Sequence, residues 1–213
     1  MMTPANLSSS ISGAQEEKHL ANQRDIELMS RIGDGDRNAF QTLVEIHQHA
    51  VVGTIARMLG APWEADDLAQ QVFLRIWKSA PRYKPKAKFT TWLFTIVRNL
   101  VYNETRRRQR KPTVSMEERA ENGYQVSADT HSFFPDSILP DQQALQSEFE
   151  AVVEKAIQRL PEKQKAALVL RRHQEMPYSE IAKTMSISKP AVKALIFKAR
   201  TRLRTSLQPY LEG

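Results

Sequence analysis

The sequence contains no cysteine. A disulfide framework, a cysteine-based zinc finger and a thiol nucleophile are therefore excluded, and a reducing compartment suits the chain. The sequence also has no apolar run close to the roughly 18 residues that a membrane span needs. Its N-terminus lacks a basic start followed by an apolar stretch, so no secretory signal is expected. These absences favour a soluble, cytoplasmic protein without membrane insertion.

Catalytic motifs are equally scarce. There is no phosphate-binding glycine loop and no His-Glu zinc motif, and no Ser-His-Asp pattern can be assembled around His19, His131 and His173. His47 and His49 lie two positions apart on a predicted helix and do not share a face, which argues against a metal site. The chain is therefore expected to act by binding, not as an enzyme, with no cofactor and no metal.

Charge is distributed in blocks along the chain. The net charge of +7 divides into −5 over residues 1–74, +11 over 75–111, −4 over 112–140 and +5 over 141–213. An evenly solvated surface would not segregate its charge in this way. The blocks favour two separate basic surfaces joined by an acidic connector.

Residues 89–111 are predicted to form one helix with two different faces. One stripe is apolar and is expected to face a core; it comprises Trp92, Leu93, Ile96, Val97, Leu100 and Val101. The other side carries Thr95, Arg98, Asn99, Tyr102, Asn103 and Arg106, and the end is a run of cations. Arginine and lysine can neutralise phosphates, while asparagine and arginine can read base edges. The helix favours a nucleic-acid contact, with a solvated amphipathic helix as the alternative.

A short basic loop precedes that helix. Residues 81–88 contain two prolines and four cations. With Tyr83 and Phe89 nearby, the loop could hold single-stranded bases by stacking and phosphate contact. A plain solvated loop remains the alternative at this point.

The rest of the first half predicts a tail and three helices. Residues 1–24 are polar and are expected to be a disordered tail. A short helix follows over 25–32, and Asp36 can cap a second helix that runs to about Leu59. The third helix is predicted over 63–80. Its outer side carries a leucine among Gln and Arg side chains, which suits a protein partner as well as an ordinary surface.

The second half begins with a predicted linker. Residues 112–140 contain three prolines with Ser, Asn, Gly and Asp, and they show no helical period, as is typical of a linker. Helices are expected over about 142–160, capped by Asp141, and over about 162–173.

The C-terminal stretch predicts a helix-turn-helix. A short helix over 178–185 and a turn over 186–188 precede a longer helix over about 189–207. Ser188 is a good N-cap, and Pro190 falls in the first turn, where its missing N–H costs little. The apolar positions that lock the two helices are Ile181, Ala182, Ile187, Val192 and Leu195. In such a motif the second helix enters the major groove of DNA; a purely structural hairpin is the alternative.

Taken together, these stretches resemble a sigma-70 family transcription initiation factor of the small, extracytoplasmic-function type. The resemblance covers about residues 25–208, and three stretches carry it in the family's order. They are Ala65 to Trp77 (ADDLAQQVFLRIW); Phe89 to Leu100 (FTTWLFTIVRNL) with Arg106-Arg107-Arg108; and Leu160-Pro161, Gln164 and Leu170-Arg171 with the helix-turn-helix and its Lys198-Ala199-Arg200 tail. Any one of them alone would be suggestive, whereas all three in order are specific.

The resemblance implies an all-α fold with two small helical domains joined by a flexible linker. The first domain would span residues 25–111, the acidic linker 112–140, and the helix-turn-helix domain 141–208, after the tail of residues 1–24. The implied function is to bind core RNA polymerase, direct it to promoter DNA and help to melt the minus-ten element. An anti-sigma factor is a further implied partner.

Specific residues follow from the same resemblance. The third helix resembles the element that grips the clamp helices of core polymerase, which implies contacts from Asp66, Asp67, Gln70, Gln71, Leu74 and Arg75. The loop and the helix after it resemble the unit that captures a flipped base of the minus-ten element, which implies contacts from Lys84, Lys86, Lys88, Phe89, Arg98, Asn99, Tyr102, Asn103 and Arg106. The helix-turn-helix resembles the reader of the minus-thirty-five element, which implies contacts from Ser188, Lys189, Ala191, Lys193, Ala194, Lys198 and Arg200.

Two departures and two rival functions accompany this interpretation. Ser186 stands where such turns often have glycine, and a left-handed conformation there costs roughly 1 kcal/mol. Lys189-Pro190-Ala191 is not the commonest start of the reading helix, which leaves the preferred DNA sequence open. The rivals are a stand-alone helix-turn-helix regulator that binds duplex DNA without polymerase, and an RNA-binding or scaffold protein that uses its basic patches electrostatically.

Overall fold

The computed structural model describes residues 4–110 and 150–211. This part of the chain is helical, with short 3-10 turns and no strand, which confirms the all-α prediction. Its helices are α1 (Pro4–Gly33), α2 (Arg37–Leu59), α3 (Ala65–Ser79), α4 (Phe89–Arg110), α5 (150–158), α6 (Glu162–Arg172), α7 (Tyr178–Met185) and α8 (Lys189–Leu211). The linker predicted over 112–140 and the start of the helix predicted after it lie outside the described residues.

The first helix is much longer than predicted. It runs without a break from Pro4 to Gly33, so the prediction of a disordered tail does not hold from Pro4 onward, and the predicted short helix is only its C-terminal end. The second half of α1 buries Leu28 and Met29 against the other helices. Tertiary packing, together with helix-forming residues such as Glu and Lys, offsets the polar composition that favoured disorder.

The ends of α2 form as predicted. Asp36 caps the helix by accepting a hydrogen bond from the Ala39 N–H at 3.0 Å, and Arg31 pairs with the same carboxylate at 2.7 Å. These contacts, the backbone N–H first, hold the pKa of Asp36 below its usual value. Gly60 closes the helix in the left-handed region, with a φ of 71°, as expected for a C-terminal glycine.

Helices α1 to α4 enclose a core beneath α3 and α4. Both of these helices bury one stripe and expose the other, as the apolar spacing of the sequence predicts. The large apolar side chains that α3 and α4 bury are Leu68, Val72, Phe73, Ile76, Phe89, Leu93, Phe94, Val97, Leu100 and Val101. Two of the residues predicted for the buried stripe of α4, Trp92 and Ile96, are only partly buried at its edge.

Helices α7 and α8 form the predicted helix-turn-helix. Ser186 adopts the left-handed conformation, with φ 55° and ψ 44°, and the Ile187 N–H donates to the Ala182 carbonyl at 3.0 Å. This bond pattern is the one with which many helices end, so serine keeps the ordinary turn in spite of the steric cost. Ser188 caps α8 through a bond from the Ala191 N–H to its Oγ at 3.3 Å.

Neither a metal cluster nor a membrane span emerges from this part of the chain. Within residues 4–110 and 150–211, no group of three or more His, Asp or Glu side chains could hold a metal ion. None of the helices in the same ranges combines the length and the hydropathy needed to cross a membrane.

Candidate nucleic-acid interface

Among the described residues, one side of α3 is open to solvent. The six residues predicted to contact polymerase are all exposed along it, and Leu74 has 55% of its surface open to solvent. We call this surface the α3 face; it comprises Asp66, Asp67, Gln70, Gln71, Leu74 and Arg75. The buried stripe on the opposite side of α3 holds the helix in place. The exposed leucine contributes little to folding, so its side chain is free to pack against another protein.

A cleft of about 250 Å³ opens beside the loop that precedes α4. Its walls include the rings of Tyr83 and Trp92, whose centroids lie 4.9 Å apart, and the side chains of Lys84 and Lys86. Lys183 reaches the same cleft from α7. We call it the loop cleft; it is lined by Tyr83, Lys84, Lys86, Ala87, Thr91, Trp92, Thr95 and Lys183. Aromatic rings beside lysines provide the stacking surface and the phosphate contacts that single-stranded bases need.

Phe89 does not line this cleft. It is fully buried, and its ring centroid lies 5.1 Å from that of His47 and 5.8 Å from that of Trp92. The prediction that Phe89 contacts minus-ten DNA is therefore incompatible with this arrangement, because its ring supports the loop from within the core. The sequence pattern could not separate an aromatic residue beneath the loop from one on its surface.

The predicted reading face of α4 is mostly open to solvent. Its exposed members are Asn99, Asn103 and Arg106. Arg98 donates from Nε to Asn99 Oδ1 at 3.2 Å, and its guanidinium lies 5.6 Å from the centroid of the Tyr102 ring. Burial, reinforced by the nearby charge of Glu162, raises the pKa of Tyr102 to about 12. The phenol stays protonated at neutral pH, and its oxygen is buried, with no hydrogen-bond partner among the described residues.

The cationic end of α4 is partly neutralised within the chain. Arg107 Nε donates to Glu104 Oε2 at 2.8 Å, and Arg108 pairs with both Glu104 and Glu64. These arginines, Arg107 first, hold the pKa of Glu104 below its usual value. Arg106 is exposed and forms none of these ion pairs, so it is the better placed of the three arginines for a phosphate.

The helix-turn-helix presents its predicted reading surface to solvent. Six of the seven residues are exposed and Ala191 is half-buried; the exposed ones are Ser188, Lys189, Lys193, Ala194, Lys198 and Arg200. The opposite side of α8 buries Val192, Ile196 and Ala199. Packing on that side holds α8 in place, and the described residues leave the reading surface open to solvent.

The helix-turn-helix also packs against the start of α4. Lys88 Nζ lies 2.7 Å from Glu180 Oε1, and the Glu180 side chain is only 14% exposed. The Thr184 Oγ1 donates to the Thr91 carbonyl at 3.4 Å, and Thr184 is fully buried. We call these two pairs the closed contact. The closed contact covers one side of the loop cleft. It also pairs Lys88, which is predicted to contact minus-ten DNA, with the Glu180 carboxylate.

Further polar contacts join α5 and the turn after α6 to α2. Gln174 Nε2 donates to Thr54 Oγ1 at 2.8 Å, and Gln158 Nε2 donates to the Arg57 carbonyl at 2.9 Å. Burial lowers the pKa of His173 to about 4, and the positive charges of Arg57 and Arg172 act in the same direction. The ring is therefore neutral at pH 7. Sequence reasoning missed these contacts because each joins single polar residues about a hundred positions apart, with no local pattern.

One residue of α1 also belongs to this region. Asn22 Oδ1 accepts a hydrogen bond from the Phe89 N–H at 2.8 Å, so a residue placed in the predicted tail caps the helix that carries the reading face. A polar residue in a polar segment gives no sequence signal for such a contact.

Comparison with protein families matches both helical units. The model for sigma-70 region 2 matches residues 43–111, and the model for sigma-70 region 4 matches residues 151–203. The chain is 33% identical over 198 residues to the RNA polymerase sigma-H factor of Pseudomonas aeruginosa, covering 90% of this chain and 98% of that protein. It is 32% identical over 186 residues to the ECF RNA polymerase sigma-E factor of Haemophilus influenzae, covering 86% and 95%.

Solved structures show the same fold. CnrH in complex with the cytosolic domain of CnrY aligns with a TM-score of 0.60 and 21% identity, over 87% of this chain and 98% of that one. RpoE in complex with the anti-sigma factor NepR from Bartonella quintana aligns with a TM-score of 0.58 and 22% identity, over 79% and 96%.

Proposed function

Since the chain belongs to the sigma-70 family, as an extracytoplasmic-function RNA polymerase sigma factor, we propose that three of its surfaces divide the work of promoter recognition. The chain directs core RNA polymerase to promoter DNA and is not an enzyme. A stand-alone helix-turn-helix regulator is not favoured, because the region 2 match lies outside the helix-turn-helix. The roles of individual residues and the domain limits of 25–111 and 141–208 are the content of the proposal.

The α3 face is the surface that binds core polymerase. Its support is the exposed leucine beside amide and basic side chains, on a helix whose other side is fully packed. Apolar anchors surrounded by polar residues are the usual centre of a protein interface. Asp67 and Arg75 supply charge of both signs at its edges, which helps to fix the register of the partner.

The loop cleft and the reading face of α4 bind the minus-ten element as it opens. The observation that carries this proposal is one cleft at the start of α4 that joins the Tyr83 and Trp92 rings with lysines that form no ion pair within residues 4–110 and 150–211. Removing a base from the stack costs a few kcal/mol, which stacking at about 1–3 kcal/mol per base can offset. Arg106 then holds the backbone by phosphate contact, and Asn99 is placed to meet a base edge.

The helix-turn-helix reads the minus-thirty-five element, and it leaves the start of α4 when the minus-ten element binds. Promoters of this family separate the two elements by on the order of 17 base pairs, roughly 55–60 Å of duplex. In the closed contact the helix-turn-helix packs directly against the start of α4, so reaching two elements at that spacing requires the two to separate. The 29 residues from 112 to 140 reach at most about 95–105 Å, so a linker of that length permits the separation.

An anti-sigma factor is a further proposed partner. Its support is that RpoE and CnrH were each solved in complex with a partner protein, an anti-sigma factor in the case of RpoE. The closed contact gives such a partner a defined target, because a protein that bound across both units would keep the loop cleft covered.

Replacing Asn99 tests the minus-ten assignment. We expect Asn99→Ala to slow promoter opening by about 5- to 100-fold, the range for losing one good base-edge contact, with unchanged affinity for core polymerase. The measurement is the fluorescence of 2-aminopurine in the minus-ten element after mixing with holoenzyme. Asn38→Ala, at an exposed position of α2, is the control. Normal opening by the Asn99 variant would contradict the assignment.

Lys193→Glu tests the upstream reader. Lys193 is exposed in the first turns of α8, where side chains of a reading helix meet base edges. We expect the variant to lose the stimulation that a minus-thirty-five element gives to transcription, while promoters that depend only on the minus-ten element keep their activity. The comparison uses promoter pairs with and without the upstream element. A parallel loss on both promoters would show that the lysine acts elsewhere.

A further inference from the structure

Helix α1 touches both ends of the loop that borders the loop cleft. At the far end of the loop, Asn22 Oδ1 accepts the Phe89 N–H at 2.8 Å. At the near end, Gly33 packs so closely that a Cβ added there would lie 3.2 Å from the Ala80 carbonyl oxygen. The two positions are eleven residues apart on one continuous helix, about 16 Å along its axis. The loop is therefore fixed between two points of a rigid rod.

The bond from Asn22 fills a gap in the local sequence. The first N–H groups of a helix have no partner within the helix, and Ser, Thr, Asp or Asn usually supplies one from the residue before it. The residue before α4 is Lys88, whose side chain has no acceptor and pairs with Glu180. Asn22 thus provides the missing acceptor from 67 positions away.

A second polar contact from α1 lies one turn further along the same face. Asp25 is almost completely buried, and its Oδ2 lies 3.1 Å from His47 Nε2. The His47 ring packs beside Phe89. Burial raises the pKa of Tyr83, and the nearby charge of Asp25 adds to this effect. Asn22 and Asp25, at i and i+3, therefore both face the underside of the loop.

We propose that Asn22 is a positioning residue for minus-ten opening: by capping α4 at Phe89 it fixes the end of the loop and with it the width of the loop cleft. The inference rests on the proposed role of the loop cleft in base capture. Asn22 lies outside both stretches that match the sigma-70 regions, so it adds a functional role to the N-terminal helix. Asn22 contacts no DNA in this role; it acts through the backbone of α4.

Three replacements of Asn22 separate capping from packing. Asn22→Ala removes the acceptor, Asn22→Gln moves it outward by one methylene, and Asn22→Asp keeps it and adds a negative charge that suits a helix N-terminus. Gln23→Ala is the matched control, because Gln23 is the exposed neighbour. The readouts are opening of a 2-aminopurine promoter, affinity for core polymerase, and hydrogen exchange of the amides at the start of α4.

We expect the Ala and Gln variants to open the promoter about 2- to 30-fold more slowly, the range for a lost helix cap. Their affinity for core polymerase should be unchanged, and amide exchange should rise at Phe89 but not in α3. The Asp variant and the Gln23 control should behave like the wild-type protein. If the Ala variant fails to fold, the Gln and Asp variants decide by the same measurements.

Three results would overturn the inference. They are normal opening by the Ala and Gln variants, an Asp variant as slow as the Gln variant, or unchanged exchange at Phe89. Asn99→Ala, measured alongside, keeps the two proposals distinguishable. If Asn99→Ala slows opening and Asn22→Gln does not, only the positioning role fails. If Asn99→Ala has no effect, the proposed role of the α4 face fails.

Discussion

A disulfide between positions 91 and 184 is expected to reduce promoter opening to the level of core polymerase alone. Thr91 and Thr184 are both buried and meet across the closed contact, with Thr184 Oγ1 at 3.4 Å from the Thr91 carbonyl. The chain has no cysteine of its own, so Thr91→Cys with Thr184→Cys introduces a single possible intramolecular pair. The bond would hold the helix-turn-helix over the loop cleft. Helix α4 and the helix-turn-helix could then not reach their two promoter elements at once.

The same protein supplies the control for that prediction. Addition of a reductant should restore opening of the double variant to the level of the single cysteine variants, and each single variant should open promoters equally fast in both redox states. Mobility on a non-reducing gel reports whether the bond has formed. An oxidised, fully cross-linked variant that opened promoters as fast as its reduced form would show that the closed contact is compatible with initiation, contrary to the proposal.

Leu74→Glu is expected to weaken binding to core polymerase by at least about 30-fold, as the loss of a central apolar anchor does in protein interfaces. Leu74 is 55% exposed and belongs to the α3 face, so the replacement creates no cavity and no buried charge. Its thermal unfolding should match that of the wild-type chain. The measurement is the equilibrium affinity of a fluorescently labelled chain for core polymerase.

Ile46→Glu is the matched control for this prediction. Ile46 is another exposed apolar residue, on α2, so the same change of side chain is made outside the α3 face. We expect its affinity for core polymerase to stay within about twofold of wild type, since surface changes outside an interface have small effects. Equal loss of affinity in both variants would contradict the assignment of the α3 face.

The features that sequence predicted well are those with a local pattern. The exposed side of α3 and the reading side of α4 follow from apolar spacing along a single helix, which the core then enforces. The helix-turn-helix follows from the N-cap Ser188, from Pro190 in the first turn of α8, and from apolar positions on both sides of a tight turn. In each case the residues that decide the structure lie within about twenty positions of one another.

The features that sequence missed depend on distant pairs. Asn22 meets Phe89, and Thr184 meets Thr91, only because whole helices pack together. The polar composition of residues 1–24 predicts disorder, yet packing of the C-terminal half of α1 keeps the whole helix formed. Phe89 illustrates the same limit for burial: an aromatic residue at the start of a helix gives no sign of which way its ring faces.

The most direct test of the central claim is run-off transcription with core RNA polymerase and a library of promoters, with and without this chain. We expect transcripts that depend on the chain and that share two sequence elements at a fixed spacing, on the order of 17 base pairs. We also expect Asn99→Ala to reduce use of the downstream element and Lys193→Glu to reduce use of the upstream one. Transcripts independent of the chain, or tight binding of the chain alone to duplex DNA with no stimulation of polymerase, would contradict the central claim.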